Sequence, residues 1–410
     1  MRILRGEHEQ PSAPPRRTEQ VTEIVHTVRQ GGDEALLSYT ERFDQARLTA
    51  AELRVEPEAL RSALAGLDPA VREGLGTAIA NVRAVAEAQL RDTVAVDLPQ
   101  GQRVEIAEVP VARVGVYVPG GSAAYPSSVM MGVVPAAAAG VGEVAVCAPP
   151  APDGSLHPVI LAACDLCGVE EVYRMGGAQA IAAFAYGTDS VRAVDLVVGP
   201  GNPWVTEAKR QVFGQVGIDG LAGPSELTVI AGADADPELV ALDLLAQAEH
   251  GADSPLELIA LEEGLLEEVV GAVERMAPER PSVSDAALRV RHTSDPGEAL
   301  AVAELLAPEH LELIGSEIEQ LAGEVRTAGC VFVGAGAATA FGDYVAGSNH
   351  VLPTGGAARF QSALSPATFR RRMARVSLPG EAPARLAPAG AALARAEGFP
   401  VHAESMERRA

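Results

Sequence analysis

Val114-Gly115-Val116-Tyr117-Val118-Pro119-Gly120-Gly121 is a β-branched run that stops abruptly on a proline and two glycines. A run this short, bounded by turn residues, is expected to be a buried strand feeding a loop. The segment after it, Ser127–Ala139, has helical length, and the alternation then repeats. Glu143–Cys147, Glu171–Arg174 and Val194–Val198 are expected strands, with helices near Pro158–Cys167, Ala178–Ala185 and Pro203–Phe213. Strands alternating with helices at this spacing pair in parallel through right-handed crossovers.

The rhythm restarts after Gly223-Pro224-Ser225. Leu227–Ala231, Leu256–Leu261, Leu288–His292, His310–Ile314 and Cys330–Val333 form a second set of expected strands. Asp236-Pro237 and Asp295-Pro296 each place a capping carboxylate before a proline suited to a first helical turn. The fold class is therefore α/β, with two tandem Rossmann-like parallel-sheet domains. Residues 1–17, with Pro11, Pro14 and Pro15, suggest an N-terminal arm. Residues 18–112 suggest the helical part of the main domain, since apolar residues recur at three and four in Val21, Ile24, Val25 and Val28. The first sheet domain is expected over 113–225 and the second over 226–364. A small helical tail takes 365–410, with helices in Ser365–Val376 and Ala391–Glu397. Such a tail buries little alone, so it is expected to pack on its own body or on another subunit.

The chain has 410 residues, 48% hydrophobic and 21% charged, enough for more than one packed core. Its 32 basic and 55 acidic side chains give a formal net charge of −23, and Lys209 is the only lysine. That balance argues against nucleic-acid and anionic-membrane partners. The densest basic group, Arg370, Arg371, Arg372 and Arg375, has no interleaved aromatics. No apolar run reaches membrane-spanning length, and the opening, with Arg2, Arg5, Glu7 and Glu9, lacks a signal peptide's apolar stretch, so a cytoplasmic location is expected. Cys164 and Cys167 lie in an apolar helical segment without a second pair and are expected to be buried small hydrophobes.

Open α/β sheets bind ligands where the strands end, so the loops after strands are the first places to look for chemistry. Pro119-Gly120-Gly121, Gly176-Gly177-Ala178-Gln179, Gly199-Pro200-Gly201-Asn202 and Gly334-Ala335-Gly336 are glycine-rich, but none completes G-x-G-x-x-G. Each alone reads as a tight turn; three on successive strands of the first sheet would aim backbone N–H groups at a common anion. The second half supplies ionisable residues. Gln247 and His250 share a face of a helix's last turn, where an imidazole also serves as an ordinary C-terminal cap. Glu309 and His310 stand side by side at a strand entrance, a pair suited to moving a proton and activating a water. Asp343 and His350 follow in later loops, and Glu397 and His402 flank Gly398-Phe399-Pro400. Two imidazoles, a carboxylate and a carboxamide oxygen suit a borderline cation such as zinc or manganese. Spacing alone does not join sites this far apart.

Taken together, these residues resemble the histidinol dehydrogenase family. The likeness runs from about Ala112 to Phe369 through the 114–121 run, Gly176 to Ala180, Gly199 to Asn202, Ala222 to Glu226, Gln247 to His250, Pro308 to Leu311, Gly342 to Tyr344 and Asn349 to Thr354. The resemblance implies a zinc-dependent, NAD-linked oxidation of L-histidinol to L-histidine through an aldehyde. It implies zinc ligands at Gln247, His250, Asp343 and His402. It implies further substrate contacts at Ser225 and Glu397, and NAD contacts at Tyr117, Gln179 and Asn202. His310 would take the hydroxyl proton and Glu309 would activate water. The resemblance also implies a homodimer in which Glu397 and His402 complete the partner's site. Glu304 stands where many relatives carry Asn, and 379–397 aligns least securely. Three other readings stay open: the same scaffold oxidising another small alcohol, a zinc hydrolase using Glu309 as base, and a non-catalytic metal-stabilised binding protein.

Overall fold

The computed structural model describes residues 1–5, 17–120 and 124–410. Pro11, Pro14 and Pro15 of the expected arm, Glu7, Glu9 and Gly121 lie outside the described residues. The strands in chain order are β1 (Arg2–Arg5), β2 (Val94–Asp97), β3 (Arg103–Pro110), β4 (Arg113–Tyr117), β5 (Glu143–Ala148), β6 (Glu171–Arg174), β7 (Leu196–Val198) and β8 (Gly217–Ile218). After them come β9 (Leu227–Ala231), β10 (Leu256–Ala260), β11 (Ala287–His292), β12 (His310–Ile314), β13 (Cys330–Val333) and β14 (Arg370–Ser377).

Two parallel sheets carry the molecule, as the alternation of strands and helices implies. The first runs β6-β5-β4-β7-β8 and the second β1-β11-β10-β9-β12-β13. Both faces of each are covered, which is why β4, β9, β10 and β12 are continuously buried instead of alternating. One face of the first sheet packs on helices Thr18–Asp44, Gly177–Tyr186 and Pro203–Val212, the other on Pro126–Ala139 and Pro158–Leu166. The expected caps form: Asp236 accepts from the N–H groups of Glu238 and Leu239 (2.9 and 3.4 Å), Asp295 from those of Gly297 and Glu298 (2.7 and 3.2 Å).

The chain order reverses between β4 and β7 in the first sheet and, leaving aside the edge strand β1, between β9 and β12 in the second. These are the switch points where crevices open. At the first, Gly199 has φ +117°, and any side chain there would collide with the Tyr117 carbonyl oxygen. The β7 loop therefore lies directly on the end of β4.

The elements differ from the sequence reading in three places. Arg2–Arg5 is a strand, pairing in parallel with β11 at the sheet edge; four residues with two arginines carry too little hydrophobic pattern to announce it. Residues 94–110 hold the β2–β3 hairpin within a region expected to be helical. Ser365–Val376 is not a helix: Pro366–Phe369 is a single 3-10 turn and Arg370–Ser377 pairs antiparallel with β3. Arginine is a good helix former, but here cross-strand charge wins, with Arg372 set opposite Glu108 and bonded to it at 2.8 Å. Arg370 is likewise engaged, donating to the Ala139 carbonyl at 2.8 Å. Cys164 is buried as expected, Cys167 at the end of the same helix is only partly buried, and all four cysteines are free.

Candidate active site

At the carboxyl ends of β4, β6 and β7 lies a cavity of about 830 Å³. Its walls include Tyr117, Gln179 and Asn202, so the three glycine loops of the first sheet do converge. Tyr117 is buried, and its hydroxyl oxygen accepts from the Gly177 N–H at 3.2 Å. Asn202 uses its carbonyl oxygen to cap the next helix, at 3.0 and 3.2 Å from the Trp204 and Val205 nitrogens, which leaves its amide NH₂ for a ligand. Sequence reasoning missed the other wall: Phe43, Asp44 and Trp204, from the end of one helix and the start of another.

The ionisable cluster sits at the opposite polarity. Ser225 and Glu226 immediately precede β9 and Glu309 immediately precedes β12, so the second crevice is used at the amino ends of its strands. Helices antiparallel to the sheet return to that end, and this brings Gln247 to it from the last turn of Pro237–Ala248. Helix Thr339–Tyr344 starts beside Glu312, within β12, where the Thr339 N–H donates to Glu312 Oε1 at 2.8 Å. It runs back to deliver Asp343 beside His310, at the start of the same strand.

Within the cluster, the Gln247 amide donates to Ser225 Oγ at 2.7 Å, and the Ser225 hydroxyl donates to Glu309 Oε2 at 2.6 Å. The Glu226 N–H donates to the same oxygen at 2.9 Å. Burial dominates these bonds and raises the Glu309 pKa to about 8, and neighbouring Glu226 rises to about 7 for the same reason. His310 Nδ1 lies 2.9 Å from the Glu226 carbonyl oxygen, which can only accept, so that nitrogen carries the proton. Nε2 is then the free base, 3.9 Å from Asp343 Oδ1, and burial lowers the ring's pKa. Both functional groups are nearly inaccessible to solvent, Glu309 being 5% and His310 2% exposed.

His250 Nε2 lies 3.9 Å from Asp343 Oδ2, too far for a hydrogen bond but within the span of two ligands on one ion at zinc distances of ~2.0–2.2 Å. Because the Gln247 nitrogen is committed to Ser225, its carbonyl oxygen is left for coordination. The donor types fit zinc, but the set is incomplete: among the described residues no group of three His, Cys, Asp or Glu is placed to hold a metal. Glu397 and His402 are both exposed, Glu397 capping the end of helix Ala382–Ala396 and His402 on helix Pro400–Glu407, where its ring sits 5.3 Å from Phe399. A single chain does not bring them to the cluster.

His350, singled out only as part of a motif, has a structural position here: Nδ1 lies 3.1 Å from the Asp343 carbonyl, and desolvation holds its pKa at about 4. The Asn349 amide, beside His350, donates to the Met131 carbonyl of helix Pro126–Ala139 at 2.8 Å, and that helix starts two residues after the cavity residue Ala124. The cleft and the cluster thus adjoin.

A cleft at one sheet's switch point, adjoining a desolvated acid–base cluster at the next, defines an α/β enzyme with a binding lobe and a proton-transfer lobe. The sequence profile of histidinol dehydrogenase matches residues 8–410. The histidinol dehydrogenase of Gluconobacter oxydans (strain 621H) is 44% identical over 414 residues, covering 99% of this chain and 94% of that one. That of Ruegeria pomeroyi is 44% identical over 395 residues, 95% and 91% of the two chains. The crystal structure of histidinol dehydrogenase from Elizabethkingia anophelis superposes with a TM-score of 0.93 at 31% identity, covering 100% of this chain and 98% of that one. The chain belongs to the histidinol dehydrogenase family and is an oxidoreductase.

Proposed function

We propose that this enzyme oxidises L-histidinol to L-histidine through L-histidinaldehyde, with zinc at the second sheet and NAD⁺ in the cleft of the first, used twice. The observation that carries the reading is the orientation of His310: Nδ1 is tied to the Glu226 carbonyl, Nε2 is free, and Glu309 stands beside it in a dry pocket.

Gln247, His250 and Asp343 are the residues that would hold zinc, with His402 of a second subunit as the fourth. When bound, the ion would orient the amino and imidazole nitrogens of the substrate. NAD⁺ supplies the hydride acceptor. His310 Nε2 takes the proton of the substrate hydroxyl as the carbon loses hydride, which requires a neutral ring; its lowered pKa supports that state. Glu309 as carboxylate, held by the Ser225 hydroxyl and the Glu226 N–H, then takes a proton from the water that adds to the aldehyde carbon, while His310 returns its proton to the aldehyde oxygen and is neutral again. His310 takes the hydrate proton as the second hydride leaves. Ser225 and Glu397 are further substrate contacts. Tyr117, Gln179 and Asn202 hold the dinucleotide.

Apolar exposure on the tail supports a homodimer: Val376 is 61%, Leu393 67% and Val401 73% exposed. A second copy covering this face would carry Glu397 and His402 toward the other site. The expected domain boundaries, with a tail over 365–410 exchanged between subunits, agree with that arrangement, and we place the enzyme in the cytoplasm.

The test is NADH formation from L-histidinol with excess NAD⁺, before and after chelation and zinc add-back. Two NADH per histidinol, lost on chelation and regained with zinc, is the expected result. No NADH from histidinol, with a signal from another small alcohol, would instead favour the same scaffold with a different substrate.

A further inference from the structure

Asp44 is the last residue of helix Thr18–Asp44, a poor place for a carboxylate because the helix dipole already puts negative charge there. The next residue, Gln45, turns into the left-handed region at φ 58°, so the chain leaves the helix at this point. Among the described residues no arginine, lysine or histidine forms an ion pair with Asp44. Among the described residues its one side-chain partner is Gln179, whose amide donates to Oδ2 at a long 3.4 Å. The carboxylate nonetheless lines the cavity, as its only formally charged side chain among the described residues. Arg17 and Arg42 are engaged over the rings of Trp204 and Phe43, at 4.6 and 5.2 Å, and neither lines the cavity.

The surroundings indicate the ligand chemistry. Phe43, 45% exposed and stacked on Tyr39, stands 6.3 Å from Trp204, so flat apolar surface borders the carboxylate on the cavity wall. The lining also includes Pro149, Pro150 and Pro152. An aromatic platform, a proline wall and one underused acceptor suit a purine nucleoside whose sugar offers a vicinal diol. Because the end of the cleft at Ala124 adjoins the catalytic cluster, the reacting half of a dinucleotide belongs there and the adenosine half near Asp44.

We propose that Asp44 is the specificity residue of the cleft, accepting the adenosine ribose hydroxyls and excluding a 2′-phosphate. The proposal rests on the reading that the cleft takes NAD⁺. A carboxylate facing the ribose is the usual means of preferring NAD over NADP, and a 2′-phosphate here would meet a negative charge where the described lining holds one imidazole, His157, and no arginine or lysine. Burial raises the Asp44 pKa to about 6, in keeping with an acceptor that lacks strong donors.

The test is equilibrium binding, followed through the fluorescence of Trp204, the only tryptophan and a lining residue. NAD⁺, NADP⁺ and AMP are titrated against wild type, Asp44→Asn and Asp44→Ser, with far-UV circular dichroism and the urea unfolding midpoint as the check that the variants fold. Loss of a charge-assisted hydrogen bond is expected to weaken NAD⁺ and AMP in parallel by about 10- to 100-fold. NADP⁺ is expected to weaken less or to gain, so the NAD-to-NADP preference falls at least about tenfold. An unchanged preference in both variants overturns the proposal. So does weaker NAD⁺ with unchanged AMP, which would place Asp44 on the nicotinamide ribose. A wild-type enzyme that binds neither NAD⁺ nor AMP overturns the cofactor reading itself, a distinct result.

Discussion

Replacing Lys209 by methionine should cost about 3 kcal/mol of stability and weaken the dinucleotide cleft. This lysine is 2% exposed; its ammonium group pairs with Asp219 and donates to the Gly199 carbonyl at 2.7 Å. Removing one partner of a buried pair leaves the other charge uncompensated, typically a loss of about 3–5 kcal/mol. Asp219 would keep the N–H groups of Gly199 and Gly220, at 2.7 and 2.8 Å, which argues for the lower end. With a urea slope near 3 kcal/mol/M, the unfolding midpoint should fall by about 1 M. Trp204 opens the helix that carries Lys209, so its fluorescence reports the affected element directly. The Lys209→Met, Asp219→Asn double variant should recover at least about 1 kcal/mol, because the orphaned charge is gone. The same pair fixes the Gly199–Asn202 loop, so KM for NAD⁺ should rise several-fold with little change in kcat. A midpoint within about 0.3 M of wild type, or strictly additive losses in the double variant, would refute the account.

Other outcomes are expected from the catalytic lobe. Glu309→Gln keeps an oxygen for Ser225 and Glu226 but removes the base, so aldehyde oxidation should slow about 10²–10⁴-fold; NADH per histidinol should drop from two toward one, and an unchanged ratio would exclude the assigned role. Glu312 and Asp243 are two interacting carboxyls with pKa values raised to about 7 and about 6, chiefly by burial. The folded chain therefore holds these protons more tightly than the unfolded one, and this contribution to stability is lost as pH rises from about 4 to about 7. Glu312→Gln should flatten denaturation midpoints across that window, whereas a slope as steep as wild type's would show the pair is not responsible. Mixing Glu309→Gln and His402→Asn subunits, each unable to complete aldehyde oxidation alone, should restore about one quarter of wild-type histidine formation if sites are shared across a twofold dimer; no restoration would place His402 outside the site.

Much of the fold was legible because its signals are local. β-branched runs, helix-length spacers and Asp-Pro caps appear within ten or fifteen residues, and parallel pairing follows from their alternation. The same holds for the residue types of the site: Glu309-His310 and the Gln247, His250 spacing are visible as written. Their meeting was not visible. Glu309 reaches Ser225 across 84 positions, and the decisive bond from His310 goes to a backbone carbonyl, which leaves no trace in side-chain pattern.

What the amino-acid sequence determined by itself was the class of architecture and the inventory of reactive groups, since periodicity, capping and composition are properties of short segments. Only tertiary structure decided that the ionisable cluster gathers at the amino ends of the second sheet's strands, that 370–377 is a strand and that Asp44 faces the cleft. Each of these depends on which distant backbone pairs with a segment and on how much water that pairing excludes. A four-residue strand at a sheet edge, an arginine run neutralised by glutamates opposite, and a carboxylate desolvated at a helix end have no local signature. Their energies come from partners far along the chain.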